Sequence, residues 1–437
     1  MQFRSTKSSK PPVSFKEAAL RCLPPEGGLY VPASVIDMRQ FFLYMDRNTA
    51  YHELVSTVAP VLLQGELNPF SASRVAESAF DFEPELKQLD ERFSALTLYN
   101  GPTGVFKDFG IAFLAAVMEE LTRNNRRIMV ISAARGDTGV SVAHAFYKRH
   151  NMIAVLLYPS GPIRGLSPES FAPNGGTLIP IEVRGTYDDC QRLVIEAIND
   201  RPFAERYSIT TTNALNPGRL LPQSFYYLYA FIKLKKLLKG DLFFSIPCGN
   251  FGNLISGLYA WKFGMPVRGF VAAMNVNNAF GDFFKGNGFK PHRLIPTISP
   301  ALDVSVPSNY ERLSAFYEEA PAVMRNMVFP AVIDDKTTLT TIERVWKQYG
   351  VFLDPHTAVA FAAAEQRASS RDMSHSDPHF VVLATGHPAK EAELVSKATG
   401  QTIEIPSKLA MLQNHTEPLA VIDPHLDALE GAVASCF

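Results

Sequence analysis

Residues 128–150 read IMVISAARGDTGVSVAHAFYKRH, and this stretch decides the fold class. The apolar run IMVIS (128–132) has the length of a strand, and it leads through a loop with two glycines into VSVAHAFYKRH, which has helical periodicity. A strand that is apolar throughout and leads into a helix is typical of a parallel sheet covered on both faces. The stretch therefore predicts one β–α unit of an α/β fold.

The same alternation of strand and helix continues along the chain. Helices are predicted at DDCQRLVIEAI, RLLPQSFYYLYAFIKLKKLL, LISGLYAWKF, TTLTTIERVWKQY and HPAKEAELVSKA. Between the helices stand further runs of strand length: MIAVLLYP (152–159), TLIPIEV (177–183), SITTTN (208–213), LFFSIP (242–247), VRGFVAAM (267–274) and HFVVLATG (379–386). This alternation predicts parallel sheets with helices on both faces.

The N-terminal part of the chain has a different pattern. FKEAALRCL, FFLYM, ELVSTVAPVLL and ASRVAESAF each carry apolar positions three or four apart, which predicts helices. We therefore expect a mostly helical N-terminal region at 1–95, followed by two α/β halves at 96–235 and 236–437.

Composition bounds the class of protein. The chain has 437 residues, of which 46% are hydrophobic and 19% charged, a balance that argues against disorder. Lys+Arg 42 against Asp+Glu 43 gives a net charge of −1, so no global field attracts nucleic acid or an anionic membrane, and we expect neither as a partner. Any anion must be held by a local site.

Signals that the sequence lacks suggest where in the cell the protein acts. No apolar run approaches the roughly 20 residues that a membrane span needs, and the N-terminal MQFRSTKSSKPPVSF lacks the apolar segment of a secretory signal. The scattered cysteines form no metal-binding spacing and suit a reducing compartment; they are Cys22, Cys190, Cys248 and Cys436. We expect a cytoplasmic protein without a metal site, as a monomer or homodimer.

The segment NGPTGVFKDFG (100–110) places Lys107 where a helix begins, since apolar positions recur every four residues from Phe109. The positive end of the helix dipole and the apolar neighbours Phe106 and Phe109 both disfavour a charged ammonium. A neutral amine is the nucleophile that forms a Schiff base with a carbonyl. The alternative is a surface lysine paired with Asp108.

The loop of the opening stretch carries residues suited to an anion. Gly136 and Gly139 permit a tight turn, while Thr138 offers a hydroxyl and an amide at the next helix N-terminus, an arrangement that suits a carboxylate. The alternative is an ordinary helix cap by Asp137 or Thr138.

The loop CGNFGN (248–253) stands between a predicted strand and a predicted helix. Its two glycines and two asparagines can form a nest of backbone N–H groups for a phosphate. The loop lacks the GK[ST] ending of a nucleotide P-loop and does not complete the dinucleotide fingerprint GxGxxG, so we expect the phosphate of neither ATP nor NAD. The alternative is a tight strand–helix turn.

A fourth loop, in VVLATGHPAK, places Thr385 at the end of an apolar strand. A hydroxyl at this position can hydrogen-bond a ring nitrogen, and His387 is a candidate anion contact, although a lone threonine at a strand end is common. Together, the four loops require one ligand with a carbonyl, a phosphate and a ring nitrogen. Pyridoxal phosphate has all three groups.

The sequence resembles the threonine synthase family, which consists of pyridoxal-phosphate enzymes of fold type II. The likeness rests on motifs in the family's order and extends to the N-terminal GGLYVP, so nearly the whole chain is covered. The motifs are GPTGVFKDFG, GDTGVSVAHAF, TTNALNPGRLLPQ, PCGNFGN, the DVSVPSN run and HPAK.

The resemblance implies the conversion of O-phosphohomoserine and water to L-threonine and inorganic phosphate, with Lys107 as the Schiff-base and proton-transferring lysine. It places the substrate carboxylate near Gly136, Asp137, Thr138 and Gly139, and the pyridine nitrogen at Thr385. Asn213, Asn216 and Arg219 become candidates near the cofactor or the substrate phosphate. The cofactor phosphate is expected at Gly249, Asn250, Phe251, Gly252 and Asn253.

Four positions depart from the family's pattern. Arg135 stands where a small hydroxyl residue is usual, Lys7 where an arginine is usual, and Cys248 where a serine is usual, while RGLSPES lacks an expected glutamine. An inward Arg135 would contact the substrate carboxylate or phosphate, whereas an outward one would only cover apolar surface. Two alternatives therefore stay open: a phospho-lyase acting on another O-phosphorylated amino acid, and a non-catalytic homologue that binds pyridoxal phosphate.

Overall fold

The structure of the protein is a computed structural model. It describes residues 1–123, 127–134, 136–147, 149–278, 281–284, 288–291, 293–373 and 377–436. Strands β1–β16 and helices α1–α19 are numbered along the chain.

The N-terminal region contains the four predicted helices. They are α1 (Phe15–Arg21), α2 (Arg39–Tyr44), α3 (Tyr51–Leu62) and α4 (Pro69–Ala79). The region also holds a small antiparallel sheet, which the sequence analysis did not predict, of β1 (Gln2–Ser5), β2 (Val13–Ser14) and β3 (Tyr30–Pro32). These strands have at most four residues, too few for alternation to stand out.

The larger sheet has six strands in the order β13-β12-β11-β14-β5-β4. All neighbours are parallel except the edge pair of β4 and β5, which is antiparallel. The strands are β4 (Glu85–Gln88), β5 (Phe93–Thr97), β11 (Leu242–Pro247), β12 (Gly269–Met274), β13 (Val328–Val332) and β14 (His379–Ala384).

A second sheet has five parallel strands in the order β10-β6-β7-β9-β16. They are β6 (Ile128–Ala133), β7 (Met152–Pro159), β9 (Leu178–Val183), β10 (Ile209–Thr210) and β16 (Ala420–Ile422). A separate two-stranded ladder pairs β8 (Ile163–Arg164) with β15 (His415–Thr416).

Helices connect and cover the strands of both sheets. The α-helices after the N-terminal region are α5 (Lys107–Leu121), α6 (Asp137–Phe146), α7 (Tyr187–Asn199), α8 (Arg201–Tyr207), α9 (Pro217–Leu220), α10 (Ser224–Leu234), α11 (Gly252–Lys262), α12 (Gly281–Phe284), α13 (Tyr310–Glu319), α14 (Pro321–Met327), α15 (Asp335–Tyr349), α16 (Pro355–Ala368), α17 (Ala392–Thr399), α18 (Ser407–Met411) and α19 (Leu426–Cys436). Short 3₁₀ helices span Pro168–Ser170, Ala172–Asn174, Leu221–Gln223, Pro300–Leu302, Arg371–Met373 and Pro388–Glu391. In the described part of the chain, no helix is long and apolar enough to cross a membrane.

The central strands confirm the predicted α/β class. All residues of β6, β11, β12 and β14 are buried, as expected for parallel strands with helices on both faces. Aromatic side chains on neighbouring strands stack within the core, with the rings of Phe243 and Phe380 5.0 Å apart.

Three details differ from the prediction. The helix expected over HPAKEAELVSKA is divided into a 3₁₀ helix (Pro388–Glu391) and α17. The helix expected over RLLPQSFYYLYAFIKLKKLL is divided into α9, a 3₁₀ turn and α10, and Pro222, which cannot donate a backbone hydrogen bond, lies in the 3₁₀ turn. The expected strand 208–213 reaches only Ile209–Thr210.

The three-part division of the chain stays a prediction. Sheet membership does not follow chain order strictly, because β5 pairs with β14 and β16 near the C-terminus pairs with β9.

Candidate active site

Three of the four loops meet at the carboxyl end of the six-stranded sheet. β5, β14 and β11 are neighbours there, so the segments that follow them lie side by side. A bridge between Val105 and Gly386 and a hydrogen bond from the Phe106 N–H to the Thr385 carbonyl (2.9 Å) join the lysine loop to the Thr385 loop.

Lys107 is the first residue of α5, as its sequence context predicted. Its Nζ donates a hydrogen bond to Thr138 Oγ1 at 3.2 Å, which brings in the fourth loop. Burial lowers the pKa of the amine from its ordinary value; Asp137 opposes this effect, and the positive charges of Arg219 and Lys390 add to it. The arrangement therefore favours a neutral amine.

Asp108 does not serve as the ion-pair partner of Lys107, so the alternative of a surface salt bridge is wrong. Its carboxylate accepts hydrogen bonds from the Thr103 N–H (2.9 Å), the Thr103 hydroxyl (2.7 Å) and the Ser141 hydroxyl (2.7 Å). The side chain is buried, and burial raises the pKa of its carboxyl. Asp108 thus ties the start of α5 to α6.

The GDTG loop is not an ordinary side-chain cap. Gly136 occupies the N-cap position of α6 with φ 52°, and among the described residues no side chain caps the helix there, so neither Asp137 nor Thr138 has that role. Asp137 forms an ion pair with Lys390 at 2.5 Å, and Thr138 is buried beside Lys107. The helix N-terminus is therefore available to an anion. Arg135 lies outside the described residues, and its role stays a prediction.

The CGNFGN loop has an unusual backbone conformation and is closely packed. Phe251 has φ 57°, a left-handed conformation that costs energy for a bulky residue, and it precedes α11 without capping the helix by its side chain. A Cβ on Gly249 would lie 2.6 Å from the Ala301 carbonyl oxygen, so a side chain does not fit there. Asn250 accepts a hydrogen bond from the Ser308 N–H at 3.0 Å.

Asn253 fixes the first turn of α11. Its side-chain oxygen accepts hydrogen bonds from the hydroxyls of Tyr226 (2.6 Å) and Tyr227 (2.7 Å), both on α10. Its Nδ2 is buried and has no hydrogen-bond partner among the described residues.

The segment after β10 brings further polar groups close to Lys107. Arg219 is buried, which lowers its pKa to about 10, and its Nη1 donates to the Thr212 carbonyl at 2.8 Å. Asn216 caps α9 and donates hydrogen bonds to the Ala19 and Thr211 carbonyls and to the Thr210 hydroxyl, so its observed contacts are within the protein. In the described chain, Arg219 Nε and Asn213 Oδ1 are buried without partners.

Thr385 and His387 follow β14. Thr385 is buried next to the start of α5, as its backbone bond with Phe106 shows. His387 uses Nδ1 to accept a hydrogen bond from the Ala389 N–H at 3.1 Å, and its ring packs edge-on against Tyr99. Burial, together with Lys408 and Lys390, lowers the pKa of His387.

These residues fit pyridoxal phosphate. A desolvated lysine amine suits its aldehyde, the uncapped N-terminus of α11 suits its phosphate, and the Thr385 hydroxyl suits its ring nitrogen. Buried polar atoms without protein partners in the described chain offer further ligand contacts, namely Asn213 Oδ1, Arg219 Nε and Asn253 Nδ2.

The sequence analysis missed two site neighbours. Lys390 pairs with Asp137 and also donates to the Thr103 carbonyl at 3.1 Å; the motif HPAK contains it, but no role had been assigned. The buried hydroxyl of Tyr158 would lie 2.3 Å from a Cβ on Gly139, and it has no hydrogen-bond partner in the described chain. No local signal marks Tyr158, because it stands at the end of a different strand.

Comparisons with known protein families match most of the chain. The model for pyridoxal-phosphate dependent enzymes matches residues 84–386, the model for the threonine synthase N terminus matches 2–80, and that for the threonine synthase C-terminal region matches 357–433.

Individual proteins agree with these models. The chain is 32% identical to the threonine synthase of Serratia marcescens over 426 residues (96% of each chain) and 32% identical to that of Escherichia coli K12 over 413 residues (94% of each).

Solved structures agree as well. The Escherichia coli threonine synthase superposes with a TM-score of 0.86 at 29% identity, covering 100% of both chains. A pyridoxal-phosphate-bound threonine synthase from Brucella melitensis superposes with a TM-score of 0.87 at 27% identity, covering 100% of this chain and 99% of that chain. Maize serine racemase superposes with a TM-score of 0.52 at 14% identity, a level of similarity that shows the fold alone.

Proposed function

Because the chain belongs to the threonine synthase family of pyridoxal-phosphate-dependent enzymes, we propose that it converts O-phosphohomoserine and water to L-threonine and inorganic phosphate. Such an enzyme is a carbon–oxygen lyase acting on a phosphate ester. The comparisons give no support to a different phosphorylated substrate or to a non-catalytic homologue.

Four groups would hold the cofactor. Lys107 would bind its aldehyde carbon, Thr385 its ring nitrogen, and the backbone of 249–252 its phosphate, while Asn253 would orient the first turn of α11. When bound, pyridoxal phosphate acts as an electron sink that stabilises negative charge on the carbons of an attached amino acid. A neutral hydroxyl such as that of Thr385 would leave the ring nitrogen largely unprotonated, whereas a carboxylate at the same position would stabilise its protonated form.

Lys107 would carry the proton transfers. The Nζ amine would take a proton from Cα and then one from Cβ, so that phosphate can leave from Cγ. Cγ would then be protonated to a methyl group, water would add at Cβ, and a proton would return to Cα. The lowered pKa of Lys107 suits this work, because it raises the fraction of neutral amine, which can accept protons and return them. Thr138 would orient the amine through its 3.2 Å hydrogen bond.

The anionic ends of the substrate would be bound by two groups of residues. The N-terminus of α6, with Gly136, Asp137, Thr138 and Gly139, offers amides and a hydroxyl for the carboxylate. Arg219, buried near Lys107, and Asn213 are candidates for the phosphate, and Asn216 holds their loop in place. His387 and Arg135 stay candidate anion contacts.

The observation that carries this proposal is the hydrogen bond between Lys107, with its lowered pKa, and Thr138 at an uncapped helix N-terminus. The test is to incubate purified protein and pyridoxal phosphate with O-phosphohomoserine and to measure threonine and phosphate together. Equal amounts of both products are expected. Phosphate release from O-phosphoserine but not from O-phosphohomoserine would assign another substrate, and release from neither would favour a non-catalytic homologue.

We further propose that the protein acts in the cytoplasm as a monomer or homodimer. The net charge of −1 and the scattered cysteines support this setting. Light scattering of the purified protein should give a mass of one or two chains of 48.3 kDa.

A further inference from the structure

Asp354 lies buried at the start of α16, outside the set of residues assigned to the site. Its carboxylate accepts hydrogen bonds from the backbone N–H groups of His356 and Thr357, both at 3.2 Å, and from the Thr357 hydroxyl. Its Oδ2 lies 2.6 Å from Nδ1 of His356. The side chain of His356 is 14% exposed.

The partners of His356 determine its tautomer. The Ala301 N–H donates a hydrogen bond to Nε2 at 3.2 Å, and a backbone N–H can only donate, so Nε2 must be the unprotonated nitrogen. The proton therefore lies on Nδ1, which donates to Asp354. The imidazole is thus held by hydrogen bonds at both ring nitrogens.

Ala301 connects this pair to the phosphate loop. It lies in the 3₁₀ turn Pro300–Leu302, and its carbonyl oxygen is the atom that a Cβ on Gly249 would approach to 2.6 Å. Loop and turn are therefore in direct backbone contact, and a shift of the turn would move the loop. Asp354 also approaches the Thr385 loop, since a Cβ on Gly386 would lie 3.2 Å from its Oδ2.

We propose that His356, oriented by Asp354, is a positioning residue for the cofactor phosphate. His356 holds the Ala301 turn by one hydrogen bond, and contact with this turn fixes the backbone of 249–252. His356 does not contact the cofactor itself. This inference rests on the proposed function, which assigns the 249–252 backbone to the phosphate of pyridoxal phosphate.

The test compares two ligands that differ only in the phosphate. Dissociation constants of pyridoxal phosphate and pyridoxal are measured on apoprotein for the parent, His356→Leu, His356→Gln and Asp354→Asn. His356→Leu should raise the dissociation constant of pyridoxal phosphate roughly tenfold, the loss expected for one hydrogen bond that fixes a loop. The dissociation constant of pyridoxal should change less than about threefold. His356→Gln should recover part of the affinity, because its carbonyl can accept from Ala301.

Asp200→Asn is the matched control. Asp200 also caps a helix whose first turn contains a proline, but that helix is α8, which packs against β10 of the five-stranded sheet. Both dissociation constants should stay at their parent values in this variant.

Unchanged binding of pyridoxal phosphate in His356→Leu, or equal weakening of both ligands, would overturn the inference and leave the proposed function standing. If His356→Leu does not fold, the contrast between the ligands must appear in Asp354→Asn, and its absence there would also overturn the inference. Failure of the parent to bind pyridoxal phosphate would overturn the proposed function itself.

Discussion

Lys107 owes its chemistry to the balance of a few neighbouring residues. Burial and the positive charges of Arg219 and Lys390 disfavour its ammonium form, whereas Asp137 favours it. Asp137 is itself held by Lys390 at 2.5 Å. Substitutions at these positions should therefore shift the pKa of Lys107.

Lys107 is expected to be the lysine that carries the cofactor. Borohydride reduction of the protein loaded with pyridoxal phosphate should fix the label on the peptide that contains Lys107, as mass spectrometry would show. Lys107→Ala should lower the turnover number by about a thousandfold, since the proposed mechanism assigns the proton transfers to this one residue. A label on another lysine would refute the assignment.

Cofactor attachment should speed up with rising pH. Below its pKa Lys107 is protonated and cannot attack a carbonyl, so the rate of pyridoxal phosphate attachment to apoprotein should rise as pH passes through the lowered pKa. Asp137→Asn removes a charge that stabilises the ammonium, so the rise should move to lower pH. Asp188→Asn, an exposed first-turn aspartate of α7, is the control and should leave the profile unchanged.

Arg135 is predicted from the sequence alone to affect the choice of substrate. If its guanidinium points inward, Arg135→Ser should remove a charge-assisted hydrogen bond worth about 1.5–3 kcal/mol, or roughly 10- to 150-fold in specificity for the anion it binds. Rates of phosphate release from O-phosphohomoserine and from O-phosphoserine, compared between parent and variant, measure this change in specificity. Equal rates for parent and variant on both substrates would exclude a role in the site.

At the scale of elements, the phosphate site is proposed to lie at the junction of β11 and α11. The left-handed Phe251 turns the chain so that α11 begins without a side-chain cap, and Asn253 attaches this turn to Tyr226 and Tyr227 of α10. The helix start is thus rigid and its amides remain available.

Gly249→Val should weaken binding of pyridoxal phosphate by at least roughly tenfold. A Cβ at this position would approach the Ala301 carbonyl oxygen to 2.6 Å, and overpacking of this kind costs about 1–3 kcal/mol. Cys248→Ser, which keeps the backbone, is the control and should bind nearly as well as the parent. If Gly249→Val retains full affinity, the phosphate does not depend on this backbone.

At the scale of the whole molecule, Arg312 joins separate parts of the chain. Its guanidinium is fully buried and donates to the carbonyls of Tyr30 (2.9 Å), Ala214 (3.1 Å) and Leu215 (2.5 Å) and to Asn309 Oδ1 (2.6 Å). Burial lowers its pKa. One side chain therefore holds the N-terminal sheet, the loop before α9 and the start of α13 together.

Arg312→Leu should lower the free energy of unfolding by about 3 kcal/mol or more, because several buried carbonyls lose their donors. Chemical denaturation of the apoprotein measures this. Arg201→Leu removes an exposed helical ion pair with Glu205 and should change stability by less than about 1 kcal/mol. Equal losses in both variants would contradict the joining role of Arg312.

Local patterns predicted the α/β class and the start of α5 at Lys107, because periodicity and helix starts depend on residues adjacent in the chain. Strands bounded by clear apolar runs, such as β7 and β11, have the predicted limits. The short strands β1 and β16 were not predicted, because they are defined by partners far along the chain.

The sequence by itself determined the class of fold and predicted the reactive lysine and the loops that suit a phosphate and a carboxylate, because each depends on a short run of residues. The tertiary structure decided which charges act on Lys107. It placed Lys390 against Asp137 across 253 positions of the chain and turned Asp108 away from Lys107 toward Thr103 and Ser141. The physical reason is that electrostatic effects and backbone contacts act through space, where only folding brings distant segments within a few ångströms.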